Sequence, residues 1–204
     1  MPETVSHAPL VWVDCEVFAT MNTRYLDTYW RQMTGLDIED DVLLSIACFV
    51  TDYDLNLLDE NGFEVVIHRS KEVMDAMDEW CTKTHAKSGL TARVLASEIT
   101  PDQAAEMLLE YVKGHVPQPG KAVLAGNTIH QDRAFLRKSP FTPFVDYLHH
   151  RLLDVSSLKE AMRRWSSKDI IKGSPAKQGL HDARQDVLES IEEAKYYRDV
   201  FFKK

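Results

Sequence analysis

Residues 10–16 (LVWVDCE) alternate in character along the chain and predict a β-strand. Trp12, Asp14 and Glu16 share one face of this strand, and the opposite face is apolar. Residues two apart on a strand lie about 6.5–7 Å apart at Cα, so Asp14 and Glu16 can bind a shared pair of cations. Two acidic residues also occur together at exposed strand ends. The pair therefore indicates a metal site only if partners are found elsewhere in the chain.

Length and composition indicate one globular domain. The 204 residues are 44% hydrophobic and 27% charged, and a chain of this size buries roughly 70% of its unfolded surface in a single core. We expect residues 1–8 to be a tail and residues 9–204 to be the domain. The net charge of -8 disfavours a groove for long nucleic acids, whose binding depends on many Lys and Arg contacts. Very short nucleic acids remain compatible, because bound metals supply local positive charge.

The sequence contains no signal for a membrane or an oxidising compartment. No segment approaches the ~18 apolar residues that a membrane span needs, and the first residues have neither an apolar signal core nor an Arg-rich amphipathic pattern. The three cysteines lack C-x-x-C spacing, which predicts reduced thiols. The expected location is the cytoplasm, with mitochondria as the alternative.

Further local patterns give the fold class. Residues 42–51, 63–68 and 122–126 are β-rich runs, and we expect the first strand to end near Glu16. Helix signals consist of a capping box at Thr100, a helix around 131–138, a cap at Asp154 and a final helix after Asp182. The order β-β-β-α-β-α-α predicts an α/β domain in which helices flank a central mixed sheet.

Two later segments supply partners for Asp14 and Glu16. Asp132 follows a buried strand and a Gly-Asn turn, which places it at the carboxyl end of the sheet. His181 and Asp186 would lie roughly 140° apart on one regular helix. A capping box starting at Asp182 begins the helix after His181, so the histidine occupies the preceding turn and is able to act as a general base. The alternative for Asp132 is a first-turn aspartate that the helix dipole favours, and the alternative for His181 is an ordinary surface histidine.

Four carboxylates and one imidazole in this order are the groups that two-metal phosphodiester hydrolysis requires. The pattern resembles the DEDDh exonuclease superfamily, which carries D-x-E, a later Asp and His-x4-Asp on a ribonuclease-H-like fold. Longer stretches look like oligoribonuclease from Val11 to Phe202, namely MDEWCTKTHAKSGL, AGNTIHQDRAFL, HRLLDVSSLKEAMRRW and KQGLHDARQDVLESIEEAKYYRDVFF.

The resemblance implies a three-layer ribonuclease-H-like domain with 3′→5′ exoribonuclease activity. Such an enzyme hydrolyses short single-stranded RNA, down to dinucleotides, to 5′-mononucleotides, uses two divalent metal ions (Mg²⁺ or Mn²⁺) and is a homodimer. His181 matches the general base. The residues that match the metal ligands are Asp14, Glu16, Asp132 and Asp186.

The resemblance also implies a set of substrate-binding residues. Leu36 matches a leucine that wedges between two bases, and Trp80 and His85 match the lining of the base pocket; core packing is the alternative for Leu36 and Trp80. His150 stands where the family has a tyrosine that reaches the partner protomer's site. The residues that match the cap on the 5′ phosphate, which excludes longer RNA, are Thr128, Arg151, Ser156 and Ser157.

One segment departs from the family pattern. The family reads D-x-E-M-T-G-L-D without a break, but here residues 17–32 separate Glu16 from Met33. The segment could be a lid or partner-binding element that offers aromatic rings for base stacking, or a tolerated surface loop. It could also be a retained intron, because its first codon begins with GT, its last can end with AG, and its removal restores DCEMTGLD.

Two other functions remain open at this stage. A related DEDDh exonuclease that acts on DNA ends would carry the same carboxylates and histidine. Alternatively, the insertion beside Glu16 could leave a catalytically impaired protein that still binds nucleotides.

Overall fold

The computed structural model describes residues 7–18, 38, 41–176 and 182–202, and the statements below concern these residues. They contain a sheet of five strands in the order β3-β2-β1-β4-β5. The central strand β1 pairs antiparallel with β2 and parallel with β4. The outer pairs are antiparallel β2–β3 and parallel β4–β5. The strands are β1 (Leu10–Phe18), β2 (Val42–Thr51), β3 (Phe63–Val66), β4 (Val123–Gly126) and β5 (His149–Asp154).

Helices connect and cover these strands. In the described part of the chain they are α1 (Lys71–Asp75), α2 (Glu79–Lys87), α3 (Leu90–Ala96), α4 (Pro101–His115), α5 (Ile129–Leu136), α6 (Thr142–Tyr147), α7 (Val155–Trp165), α8 (Lys168–Lys172) and α9 (Ala183–Tyr197), followed by a π-helical turn (Arg198–Phe202). Three predicted starts are confirmed, since Thr100, Asp154 and Asp182 are the N-caps of α4, α7 and α9. None of the described helices is long and apolar enough to cross a membrane.

The sheet is buried on both faces. One face, which includes Val11 and Val13 of β1, packs against α4, α5 and α6. The other face, which includes Trp12, packs against α7 and α9. Asp14 and Glu16 continue the Trp12 face along β1, so they point towards α9. This is the predicted arrangement of a mixed sheet between layers of helices.

A smaller apolar cluster covers the carboxyl end of β1 and the adjoining part of β2. It joins Phe18 and Leu44 to buried side chains of α1, α2 and α3, among them Met74 and Leu90. These three helices therefore stand beside the sheet end where Glu16 lies.

Strand and helix bounds differ from the expectations at several points. The first strand extends two residues beyond Glu16, because Val17 and Phe18 pair with Leu43 and Val42 beyond a register shift. The β-rich run 63–68 forms a shorter strand, Phe63–Val66, and the helix that contains Asp132 begins and ends two residues earlier than expected, at Ile129–Leu136. The strand β5 was not predicted, since its first three residues are polar and show no alternation. This strand forms because it pairs with β4, although its own sequence pattern does not predict a strand.

Candidate active site

Three of the predicted acidic residues meet at the carboxyl end of β1. Asp14 and Glu16 project from β1, and Asp186 lies in the first turn of α9. Ligand oxygens of the three side chains lie within 4.8 Å of one another. Among the described residues this is the only group of at least three His, Cys, Asp or Glu side chains that meets this distance.

The start of α9 determines where Asp186 lies. The side chain of Asp182 accepts a hydrogen bond from the backbone N–H of Gln185 at 3.0 Å, and the N–H of Asp186 donates to the carbonyl oxygen of Asp182 at 2.9 Å. The cap therefore begins the helix one turn before Asp186. This local geometry delivers its carboxylate from α9 to the face of β1 that carries Asp14 and Glu16.

Asp132 reaches the same strand from the other helical layer. It lies in the first turn of α5, and its Oδ1 accepts a hydrogen bond of 2.9 Å from the backbone N–H of Cys15. Cys15 is the residue between Asp14 and Glu16. Asp132 is thus held beside the two strand carboxylates, although it is not a member of the three-residue group.

The crowding of these carboxylates changes their proton affinity. Burial raises the pKa of Glu16 to about 8, and repulsion from Asp186, Asp182 and Asp132 acts in the same direction. Burial likewise raises the pKa of Asp132 to about 7. A divalent cation would offset both effects, because its charge favours the ionised form. Carboxylate oxygens are also the donors that hard cations such as Mg²⁺ and Mn²⁺ prefer, so the residues fit a metal centre.

The predicted base-pocket residues lie on α2, beside this end of β1. His85 is buried, and its Nε2 is 3.4 Å from the carbonyl oxygen of Val17. Trp80 is 53% exposed, so core packing, the alternative for this residue, is wrong. Leu36 and His181 lie outside the described residues, as does most of the segment 17–32.

A groove of about 480 Å³ lies along α7. Three predicted cap residues line it, and the hydroxyl oxygens of two of them, Thr128 and Ser156, are 3.0 Å apart. The backbone of Thr128 is left-handed, with φ at 54°, and its N–H donates to Asp154. The complete lining is Thr128, His130, Asp154, Ser156, Ser157, Glu160, Ala161, Arg164 and Trp165.

The two remaining predicted substrate residues lie on β5 and do not line this groove in the described part of the chain. His150 stacks on His149 with ring centroids 4.3 Å apart. Arg151 is exposed, and its backbone N–H donates to the His149 ring. The structure therefore places Arg151 near the groove residues along the chain but outside the groove itself.

Comparison with known proteins decides the family. The sequence profile of the RNase_T exonucleases matches residues 32–194. An oligoribonuclease from Mycobacterium sp. (strain KMS) is 45% identical over 193 residues, which are 95% of this chain and 81% of that protein. A mitochondrial oligoribonuclease from Homo sapiens is 42% identical over 196 residues, covering 96% of this chain and 74% of that protein. The chain belongs to the oligoribonuclease family.

This chain shares its fold with solved structures of distant sequence. The structure of S. pombe Pop2p in its Mg²⁺- and Mn²⁺-bound form superposes with a TM-score of 0.61 at 15% identity, and the match covers 96% of this chain and 85% of that chain. The predicted ribonuclease-H-like fold is confirmed. The RNase_T profile match begins at residue 32, so Asp14 and Glu16 precede it.

Sequence reasoning missed one polar group in this oligoribonuclease-family chain. Asn127, Ser190 and Glu193 form a hydrogen-bonded cluster between β4 and α9, and Ser190 and Glu193 are buried. The sequence feature that could have predicted this cluster is the position of Glu193. It lies three residues from Ser190 and four from Tyr197, which places an acidic side chain on the inward face of the last helix.

Proposed function

We propose that this chain is a metal-dependent 3′→5′ exoribonuclease that hydrolyses short RNA, down to dinucleotides, to 5′-mononucleotides. The observation that carries the proposal is the meeting of Asp14, Glu16 and Asp186 within 4.8 Å in a chain of the oligoribonuclease family. The relatives are named oligoribonucleases, and we assign their activity to this chain.

We assign two divalent ions, Mg²⁺ or Mn²⁺, to the carboxylates of Asp14, Glu16, Asp132 and Asp186. Such ions would lower the pKa of a bound water and stabilise the charge that develops on the leaving oxygen. The chain's own contribution is to hold the ligands, and the hydrogen bond from Cys15 to Asp132 keeps the α5 carboxylate beside the strand pair. Because the pKa of Glu16 is raised, a divalent ion and a proton compete for its carboxylate.

His181 is proposed as the general base. It immediately precedes Asp182, the N-cap of α9, and Asp186 lies one turn further along the helix. A base that precedes the helix can approach a water near Asp186 without belonging to the helical face itself. Its loss is expected to lower turnover by ~10²–10⁴-fold.

Selection of short substrates is assigned to the groove at α7 and to α2. Thr128, Ser156 and Ser157 line this groove and keep the 5′-phosphate-binding role that the family resemblance implies. Arg151 lies outside the groove and keeps the same role on the resemblance alone. The exposed indole of Trp80 offers a stacking surface for a base. Leu36, His85 and His150 keep the substrate-binding roles that the family resemblance implies.

The remaining assignments concern organisation. We propose that residues 9–204 are one domain with an insertion at 17–32, that the protein is a homodimer, and that it acts in the cytoplasm or mitochondria. The first two residues of the insertion continue β1, and both are buried. The lid, loop and retained-intron interpretations remain proposals for the whole segment 17–32.

The test is hydrolysis of a 5′-labelled RNA dinucleotide by the purified chain. We expect cleavage that requires Mg²⁺ or Mn²⁺, stops with a chelator, and is much faster on the dinucleotide than on a 20-mer RNA. A DNA dinucleotide of the same sequence distinguishes the DNA-end alternative. Equal rates on the dinucleotide and the 20-mer, or no cleavage by the chain with and without residues 17–32, would contradict the proposal.

A further inference from the structure

Arg184 connects the start of α9 to the loop between β2 and β3. It lies two residues before Asp186, and one of its Nη atoms donates to the carbonyl oxygen of Asn61 while the other donates to that of Glu60 at 3.3 Å. Its guanidinium carbon also lies 4.9 Å from the ring centroid of Phe49 on β2. Because a planar guanidinium stacks and donates in fixed directions, these contacts together define one orientation of the side chain.

The surface that receives Arg184 is itself held in place. Oδ1 of Asp59 accepts a hydrogen bond of 3.0 Å from the backbone N–H of Asn61, which fixes the turn that presents the carbonyl oxygens. Gly62 follows with φ at 61°, and a Cβ at this position would lie 2.4 Å from the ring of Phe49. The ring of Phe49 is fully buried. The guanidinium therefore rests on a loop and a ring that have little freedom to move.

This contact lies on the same face of the sheet as the metal site. Phe49 is the partner of Trp12 in the register of β1 and β2, and Trp12 lies two residues before Asp14 on that face. The contact of Arg184 with Phe49 therefore fixes the first turn of α9 over the strand that carries the carboxylates. On a helix, side chains two residues apart point roughly 200° apart. A rotation that releases Arg184 from the loop consequently also turns Asp186 relative to β1.

Two other features of this turn constrain its rotation less. The N-cap Asp182 accepts a hydrogen bond from the backbone N–H of Gln185, so it determines where α9 begins but not how the helix is turned against the sheet. Ala183 and Val187 are buried against the sheet, but apolar contact is non-directional. The hydrogen bonds and the stacking of Arg184 are directional, and they join the helix to a different element.

We propose that Arg184 is a positioning residue, which sets the rotation of the first turn of α9 and thereby holds the carboxylate of Asp186 beside the two carboxylates of β1. The inference rests on the proposed function, in which these three carboxylates bind divalent ions. Their ligand oxygens lie within 4.8 Å of one another, so a rotation of α9 that moves one of them changes the geometry of the whole group.

A matched control lies at the other end of α9. Arg198 directly follows the helix, and its Nη1 donates to the carbonyl oxygen of Asp54 in the same loop. Arg198 is twelve residues beyond Asp186, which corresponds to roughly 18 Å along a helix axis. Both arginines thus donate to backbone carbonyls of one loop, but at opposite ends of the helix. Loss of either should lower the melting temperature, whereas loss of Arg184 alone should change metal binding.

The experiment measures the Mn²⁺ affinity of the full chain by isothermal titration calorimetry, with the melting temperature in parallel. Changing a group that orients a metal ligand typically costs ~10–100-fold in affinity, so we expect Arg184→Gln to weaken Mn²⁺ binding about tenfold. Arg184→Lys keeps the positive charge but loses the planar fork, and it should show the same weakening. Arg198→Gln should bind Mn²⁺ as the wild type does. The rate of Arg184→Gln on an RNA dinucleotide should fall at limiting Mn²⁺ and recover at high Mn²⁺.

The direction of the change separates positioning from electrostatics. Removing a positive charge near carboxylates would by itself strengthen the binding of a cation. Tighter binding by Arg184→Gln, with Arg184→Lys like the wild type, would therefore overturn the inference. A further variant acts from the loop side, since Asp59→Ala releases the backbone of Asn61 without touching α9 and should also weaken Mn²⁺ binding. Combined with Arg184→Gln it should cause no additional loss, because both changes act on one contact.

The outcomes distinguish this inference from the proposed function. A wild-type chain that binds no Mn²⁺ contradicts the proposed metal centre and the inference together. Wild-type affinity in both Arg184→Gln and Arg184→Lys overturns the inference alone. Equal weakening in Arg184→Gln and Arg198→Gln would make both arginines stabilising residues only, which also overturns it. If Arg184→Gln does not fold, Arg184→Lys and Asp59→Ala provide the test. The expected result is weaker Mn²⁺ binding confined to the Arg184 and Asp59 variants.

Discussion

Gly126 ends β4 at a position where a side chain does not fit. A Cβ added there would lie 2.8 Å from the carbonyl oxygen of Val13 and 2.9 Å from Cδ1 of Ile129. The isoleucine can change rotamer, but the Val13 carbonyl belongs to the backbone of the central strand. Val13 immediately precedes Asp14. Replacing Gly126 by alanine therefore forces β1 and β4 apart beside a proposed metal ligand.

The structure gives the size of the effect. Ordinary contact begins at 3.4 Å, so the two backbones must separate by about 0.6 Å at Val13. Overpacking of this kind costs ~1–3 kcal/mol in the free energy of unfolding, and each kcal/mol lowers the melting temperature by ~2–4 °C for a chain of this length. A ~1 Å misplacement can cost ~10²-fold in rate, so we expect kcat for Gly126→Ala to fall roughly tenfold.

A matched control is available on α4. A Cβ added to Gly114 meets nothing within 4 Å, and alanine is favoured over glycine in a helix by up to ~1 kcal/mol. Gly114→Ala should therefore leave kcat unchanged and stability equal or higher. The assays are thermal unfolding and kcat on an RNA dinucleotide at saturating Mn²⁺. Wild-type stability and turnover in Gly126→Ala, or equal losses in both variants, would refute the steric reasoning.

Other expectations follow from the carboxylates and the insertion. Asp14→Asn and Asp186→Asn should abolish dinucleotide hydrolysis while circular dichroism stays that of the wild type; appreciable activity in either would contradict the metal assignment. Burial raises the pKa of Glu16 from 4.5 to about 8, so its protonated form stabilises the metal-free fold below pH 4.5, and this contribution is lost as the pH rises through 8. The melting temperature of chelator-treated protein should fall between pH 4.5 and pH 8, and Glu16→Gln should make this fall smaller. If the melting temperatures of the wild type and of Glu16→Gln differ by the same amount at every pH, the raised pKa of Glu16 is contradicted. Removal of residues 17–32 should raise kcat/KM on a dinucleotide, and unchanged or lower activity would make the segment a tolerated or functional element.

Local chemistry made much of the fold readable from the sequence. The alternation around Asp14 and Glu16 defined the faces of β1, and the structure confirms them, with Trp12 against α7 and α9. The N-caps at Thr100 and Asp182 behave similarly, because each depends on a side chain and a backbone N–H only three residues away. At Thr100 both reciprocal hydrogen bonds are present. Features whose energy is local were therefore predicted correctly.

Features that depend on distant partners were not determined by local pattern. The strand β5 exists because β4 offers a parallel edge, and Val17 and Phe18 extend β1 because β2 continues opposite them. The sequence suggested which carboxylates belong together, but their separation, and the burial that raises the pKa of Glu16, arise only when α9 is placed on the sheet. The same holds for Glu193, whose donors are Asn127 directly after β4, Lys159 in α7 and Tyr197 in α9. A buried charge is stable only if its partners converge in space, and that convergence is a property of the tertiary structure alone.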